Sequence, residues 1–85
     1  MDEYAQLRML LEVAESTGIA IRRGPADEGH PGGALVRLGG KEMLFLDPTA
    51  SVADRIAVVA AALKGRPEVA DRFLPPEVRR LIDED

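Results

Sequence analysis

The residues best suited to chemistry lie in one glycine-rich segment, residues 24–33, which contains the single histidine, His30. An imidazole beside a carboxylate can act as a general base, and Asp27 and Glu28 stand just before His30. Side chains in a flexible glycine loop are seldom held within the tolerance that catalysis requires. A solvated loop histidine is therefore the plainer interpretation, and we predict no catalytic residue.

The same segment offers a second kind of site, in which backbone N–H groups form a nest that binds an anion. Gly32 and Gly33 are the candidates for this nest, and together with His30 they form the predicted ligand-binding set. A metal site at His30 is disfavoured, because only carboxylates accompany the imidazole and Zn²⁺ usually takes more nitrogen or sulfur ligands. The sequence thus predicts neither a metal ion nor another cofactor.

A second glycine pair, Gly39-Gly40, precedes Lys41 and has some features of a phosphate-binding loop. In such a loop Leu35 would have to be glycine and Glu42 would have to be serine or threonine. A helix would also have to follow, whereas the pattern here predicts a strand. We interpret the pair as the turn of a β-hairpin, because two-residue hairpin turns require positive φ angles.

A group of arginines in the C-terminal third could bind a phosphate or an acidic patch of a partner. Its members are Arg66, Arg72, Arg79 and Arg80. Acidic residues are interleaved with them, namely Glu68, Asp71, Glu77 and Asp83. A solvated surface whose charges pair internally is therefore the favoured interpretation.

Length and composition restrict the class of protein. The chain has 85 residues, which is enough for one domain and too few for a second core. Its net charge is −4 and no segment is basic, so we expect no binding to nucleic acid. It has no cysteine, which excludes disulfides and thiolate metal sites. The longest apolar run, residues 56–63, is too short for a membrane span, and the first residues are acidic, unlike a signal peptide. These features predict a cytoplasmic protein without membrane contact.

The spacing of apolar residues and the positions of glycine and proline predict six elements. They are a helix over 3–17, strands over 19–23, 34–38 and 41–46, a helix over 51–64 and a short helix over 76–83. The order α-β-β-β-α-α predicts a single small α+β domain over residues 1–85. We expect its three strands to form an antiparallel sheet packed with helices.

The predicted hairpin is apolar on both faces. Leu44 and Leu46 lie on one side, while Met43 and Phe45 lie on the other. An apolar second face on so small a domain favours a homodimer. The alternative is that both faces are covered within the monomer, by the N-terminal helix on one side and the C-terminal helix on the other.

Two resemblances add to this interpretation. The pattern GGALVRLGGKEMLFLD at residues 32–47, followed by an alanine-rich helix and FLPPEVRRLI at 73–82, resembles a group of small bacterial proteins of unassigned function. The likeness covers about residues 17–82. It implies one helix, a sheet and two further helices, and it brings no activity with it.

The second resemblance is to zinc metallopeptidases that cleave repressors of mobile elements. In those enzymes a helix carrying His-Glu-x-x-His follows a helix, a strand and a hairpin, and RIAVVAAALK at residues 55–64 lies at the corresponding place. Ala60, Ala61 and Lys64 stand where His, Glu and His would be needed. The resemblance therefore implies a degenerate relative that binds no metal and hydrolyses no substrate.

The sequence as a whole predicts a non-catalytic protein-interaction or regulatory module that acts as a homodimer and has an unidentified protein partner. The alternative is a small ligand-binding protein or enzyme that uses the loop around His30, with Asp27, Glu28 and the arginines.

Overall fold

The helices and strands follow the predicted order. A computed structural model of the chain describes residues 1–24 and 31–84. The elements are α1 (Glu3–Ser16), β1 (Ala20–Arg23), β2 (Gly33–Leu38), β3 (Lys41–Leu46), α2 (Val52–Leu63), α3 (Pro67–Ala70) and α4 (Pro76–Asp83). The predicted boundaries lie within one residue of these. Helix α3 has no counterpart in the prediction, because four residues are too few to show a periodic pattern.

Side-chain caps fix where the two long helices begin. The Asp2 carboxylate accepts a hydrogen bond of 2.8 Å from the backbone N–H of Ala5, and the Ser51 hydroxyl accepts one of 3.0 Å from Asp54. Each bond satisfies one of the N–H groups that the first turn of a helix leaves without an intrahelical partner. The cap at Ser51 begins α2 after a connection of five residues from the end of β3.

The predicted hairpin is present. Gly39 and Gly40 have φ angles of +57° and +80°, and they connect Leu38 to its cross-strand partner Lys41. Positive φ at both central residues gives the turn whose twist matches that of the two strands. This register sets which side chains of β2 and β3 share a face.

The sheet is mixed, so the expectation of a purely antiparallel sheet is wrong. Strand β3 lies in the centre, antiparallel to β2 and parallel to β1. Leu46 of β3 is the register partner of two residues. One is Arg23 at the end of β1, and the other is Gly33 at the start of β2. The chain between them therefore joins one edge of the sheet to the other, and β1 cannot form a hairpin with β2. A strand pattern in a sequence carries no direction, which is why it did not predict this pairing.

One hydrophobic core lies between the sheet and the helices. Leu44 and Leu46 of β3 belong to the same buried cluster as Leu10, Val59 and Val78, which come from α1, α2 and α4. These three helices also contact one another. The described helices therefore cover one face of the sheet together, and they do not divide the two faces between them as the alternative expectation required.

Candidate functional site

Gly32 and Gly33, two of the three predicted ligand-binding residues, lie buried at the start of β2. A Cβ atom on Gly32 would stand 2.6 Å from the backbone oxygen of Asp54 in α2. A Cβ atom on Gly33 would stand 1.8 Å from the backbone oxygen of Phe45 in β3. Close packing of backbone against backbone is thus sufficient reason for both glycines. Their role in anion binding stays a prediction.

His30, the third predicted ligand-binding residue, lies outside the described residues. The same holds for Asp27 and Glu28, the carboxylates that the alternative enzyme hypothesis pairs with it. That hypothesis also stays a prediction. Lys41, which the phosphate-loop comparison singled out, is an exposed strand residue next to the hairpin turn.

Three of the four arginines of the C-terminal third make contacts within the chain, and the fourth, Arg80, is exposed. The Arg66 guanidinium donates to both carboxylate oxygens of Glu42, at 2.8 and 2.5 Å, and its Nε donates to the backbone oxygen of Ala62 at 2.7 Å. Arg72 donates to the Ser16 hydroxyl at 2.6 Å, and Arg79 donates to the backbone oxygen of Arg72. The sequence predicted that these arginines pair within the chain, but it predicted acidic partners close to them in the sequence, and the contacts above are with other groups.

Glu42 is the acidic partner that the sequence did not reveal. It stands 24 residues before Arg66 and also accepts a bond of 3.3 Å from Arg37 in the neighbouring strand. Hydrogen bonding from Arg66 is the main reason that the pKa of the Glu42 carboxyl falls from 4.5 to about 2. In return, Glu42 raises the pKa of Arg66. The ion pair of Glu42 with Arg66 connects the start of β3 to the turn after α2, so its role is to hold these two elements together.

The second face of the sheet is the most conspicuous surface of the molecule. We call it the open sheet face, and it consists of Ala20, Arg22, Ala34, Val36, Leu38, Lys41, Met43 and Phe45. These residues alternate along the three strands with those that face the helices. None of them belongs to the buried cluster. No described helix covers this face.

The open sheet face combines an apolar centre with two cations. Met43 of the central strand has Ala20 and Val36 as its neighbours on either side, and Leu38 at one end of the face is 58% exposed. Arg22 and Lys41 lie toward opposite ends of the strands, and no carboxylate stands among the residues of this face. Such a surface favours a partner that is itself apolar in the middle.

Other kinds of site receive no support from the part of the chain that the structure describes. Within residues 1–24 and 31–84, no three His, Asp or Glu side chains lie close enough together to hold a metal ion. The described helices are also all too short or too polar to cross a membrane.

Comparisons with known proteins add no further evidence on function. No protein-family model matches the chain, and no curated protein or solved structure is significantly similar to it.

Proposed function

We propose that this protein is a non-catalytic interaction module that acts as a homodimer through the open sheet face. The observation that carries the proposal is the apolar centre of that face, which no described helix covers. The apolar residues at the centre of this face are half-buried, and packing them against another surface removes their remaining exposed area from water, which is favourable. We further propose a cytoplasmic location without binding to nucleic acid, which the absence of cysteine and the net charge of −4 support.

A second copy of the chain fits this face because its layout is self-complementary. Consider two sheets packed face to face about a two-fold axis that passes over Met43 at a right angle to the strands. Met43 then faces Met43 of the second copy, and Leu38 faces Ala34. Lys41 faces the ring of Phe45, an arrangement that favours a cation–π contact, while the other apolar residues of the face meet apolar residues.

The same arrangement keeps like charges apart. Lys41 and Phe45 are four residues apart on β3, which corresponds to about 13 Å along the strand. The two lysines of a dimer are therefore displaced by about that distance, in addition to the roughly 10 Å between packed sheets. An axis parallel to the strands would instead set Lys41 directly against its own copy. We therefore favour the axis at a right angle to the strands.

The size of the face predicts a weak and reversible dimer. The three strands, of four, six and six residues, cover about 250 Å² in the plane of the sheet. A typical stable interface buries about 800 Å² on each partner. We therefore expect dissociation in the micromolar range and a molecular mass that rises with concentration, as measured by sedimentation velocity.

Leu38→Asp provides the first test. Leu38 is largely exposed, so the change should affect folding little while placing a carboxylate inside the apolar interface. We expect the dimer to weaken by more than about tenfold, because the carboxylate must lose its water on association and because it attracts its cross-strand neighbour Lys41 away from Phe45 of the second copy. Tyr4→Asp, at a residue that is 65% exposed on α1, is the matched control and should leave the dimer unchanged. A wild-type protein that stays monomeric at all accessible concentrations contradicts the proposal.

Crosslinking tests the orientation of the two copies. Because the chain has no cysteine, Met43→Cys and Lys41→Cys each introduce one thiol. A bismaleimide with a reach of about 10 Å, the spacing of packed sheets, should join two copies at position 43 far better than at position 41. Equal crosslinking at position 41 would indicate the axis parallel to the strands.

A further inference from the structure

A second apolar surface lies on the helical side of the molecule. It is a groove of about 540 Å³ between the start of α1, one side of α2 and the end of α4, and no strand residue lines it. Its floor contains Ala53, Ala57 and Ala61, which are exposed and recur every four residues along α2. Larger apolar side chains, Ile56 and Leu81, form part of its walls. The groove is therefore separate from the open sheet face.

The shape of the groove fits a helix. The lining residues run from Ala53 in α2 to Lys64, the residue that caps its C-terminus, a distance of about 16 Å or three helical turns. Side chains four residues apart form the ridges and grooves through which helices most commonly pack, and alanine in these positions lets the second helix approach closely. An extended peptide would need a free strand edge for its backbone, and this groove has none.

The charges at the rim indicate which kind of helix the groove would bind. The exposed carboxylates of Glu3 and Glu84 both line the groove. Lys64 is the one cation among the lining residues, and its Nζ is engaged within the chain, 3.4 Å from the backbone oxygen of Glu84. A partner with basic residues beside its apolar stripe is complementary to this rim, whereas a partner with acidic residues is repelled.

We propose that the groove binds an amphipathic helix of a partner protein, with large aliphatic side chains against the alanines of α2 and Lys or Arg beside Glu3 and Glu84. The site is independent of the homodimer, because it uses the opposite layer of the fold. A dimer joined through its sheets would present two such grooves on its outer sides. The arrangement suits an adaptor that pairs two copies of one partner.

Two synthetic peptides of fourteen residues test the proposal. One has leucines at positions i, i+3, i+4 and i+7 with lysines elsewhere, and the other has the same leucines with glutamates. We expect the lysine peptide to bind with a salt-dependent affinity at least about tenfold above that of the glutamate peptide, as charge complementarity requires. Fluorescence anisotropy measures the affinity, and amide chemical-shift changes in NMR spectra locate the site.

Substitutions in the groove distinguish binding of the lysine peptide at this site from its non-specific attraction to an acidic protein. Ala57→Arg fills the floor and adds a positive charge, so it should abolish binding of the lysine peptide. Ala70→Arg makes the same change at an exposed alanine of α3 outside the groove and should leave binding intact. The proposal is overturned if both variants bind equally, if the shifts map to the strands, or if the two peptides bind equally well. These results leave the homodimer untouched, since its test is the molecular mass of the protein without peptide.

Discussion

At the scale of single residues, Gly33 and Gly39, two glycines that the sequence offers as parts of possible binding loops, have different structural roles. Gly33 brings the start of β2 so close to β3 that a methyl group would overlap the backbone of Phe45, and its φ angle is +140°. Gly39, in the hairpin turn, also has a positive φ but no atom near the place of a Cβ. Substitutions at these two positions therefore distinguish the effect of steric overlap on stability from the effect of a positive φ angle.

This difference predicts unequal losses of stability on substitution by alanine. Gly39→Ala should lower the free energy of unfolding by about 1 kcal/mol, the ordinary cost of a left-handed residue with a Cβ. Gly33→Ala adds steric overlap with the backbone and should lower it by about 3 kcal/mol or more. Urea unfolding of both variants at one protein concentration measures the difference. Equal losses would show that the strand shifts to make room for the methyl group.

At the scale of elements, local patterns predicted much and long-range pairings little. The helix boundaries and the Gly39-Gly40 turn follow from apolar spacing, caps and glycine, all of which act over a few residues. The parallel pairing of β1 with β3 joins residues more than twenty positions apart, and so does the contact of Glu42 with Arg66. The open sheet face was predicted in part, because the alternation of side chains along β2 and β3 is enough to show that the hairpin has a second apolar side. The groove requires the relative placement of three helices, which no local pattern contains.

The ion pair between β3 and the end of α2 predicts how stability depends on pH. The pKa of the Glu42 carboxyl is about 2 in the folded chain, well below its ordinary value of 4.5, chiefly because Arg66 donates hydrogen bonds to it. The folded protein thus holds a proton at this site less readily than the unfolded chain. The stabilising contribution of Glu42 is complete above pH 4.5 and is lost as the pH falls from about 4.5 towards 2.

Glu42→Gln removes this contribution and should flatten the fall in stability over the same pH range. Chemical unfolding of the variant and the wild type, at several pH values from neutral to strongly acidic, measures the effect. Glu12→Gln, at an exposed position of α1, controls for the loss of a carboxylate elsewhere on the surface. A Glu42→Gln variant that loses stability with acid as steeply as the wild type would show that Arg66 does not hold this carboxylate in solution.

At the scale of the whole molecule, the fold places its two apolar surfaces on opposite layers. The described helices cover one face of the sheet and none of them packs on the other, while α1, α2 and α4 leave a groove between them. A domain of 85 residues buries a smaller fraction of its surface than a large one, so its margin of stability is narrow. Burial of the open sheet face between two copies would add to that margin.

This linkage predicts that thermal stability rises with protein concentration. When the dimer is the folded species, a tenfold rise in concentration stabilises it by about 1.4 kcal/mol, or about 0.7 kcal/mol for each chain. For a domain of this size, 1 kcal/mol corresponds to a shift in Tm of about 4–8 °C. Above the dissociation constant, each tenfold step should therefore raise the Tm by about 3–6 °C, as measured by scanning calorimetry.

Leu38→Asp should remove this dependence and Tyr4→Asp should retain it, because only the first places a charge in the interface. A wild-type Tm that is constant from low micromolar to near-millimolar concentration would mean that folding and association are not coupled, and that the open sheet face stays exposed.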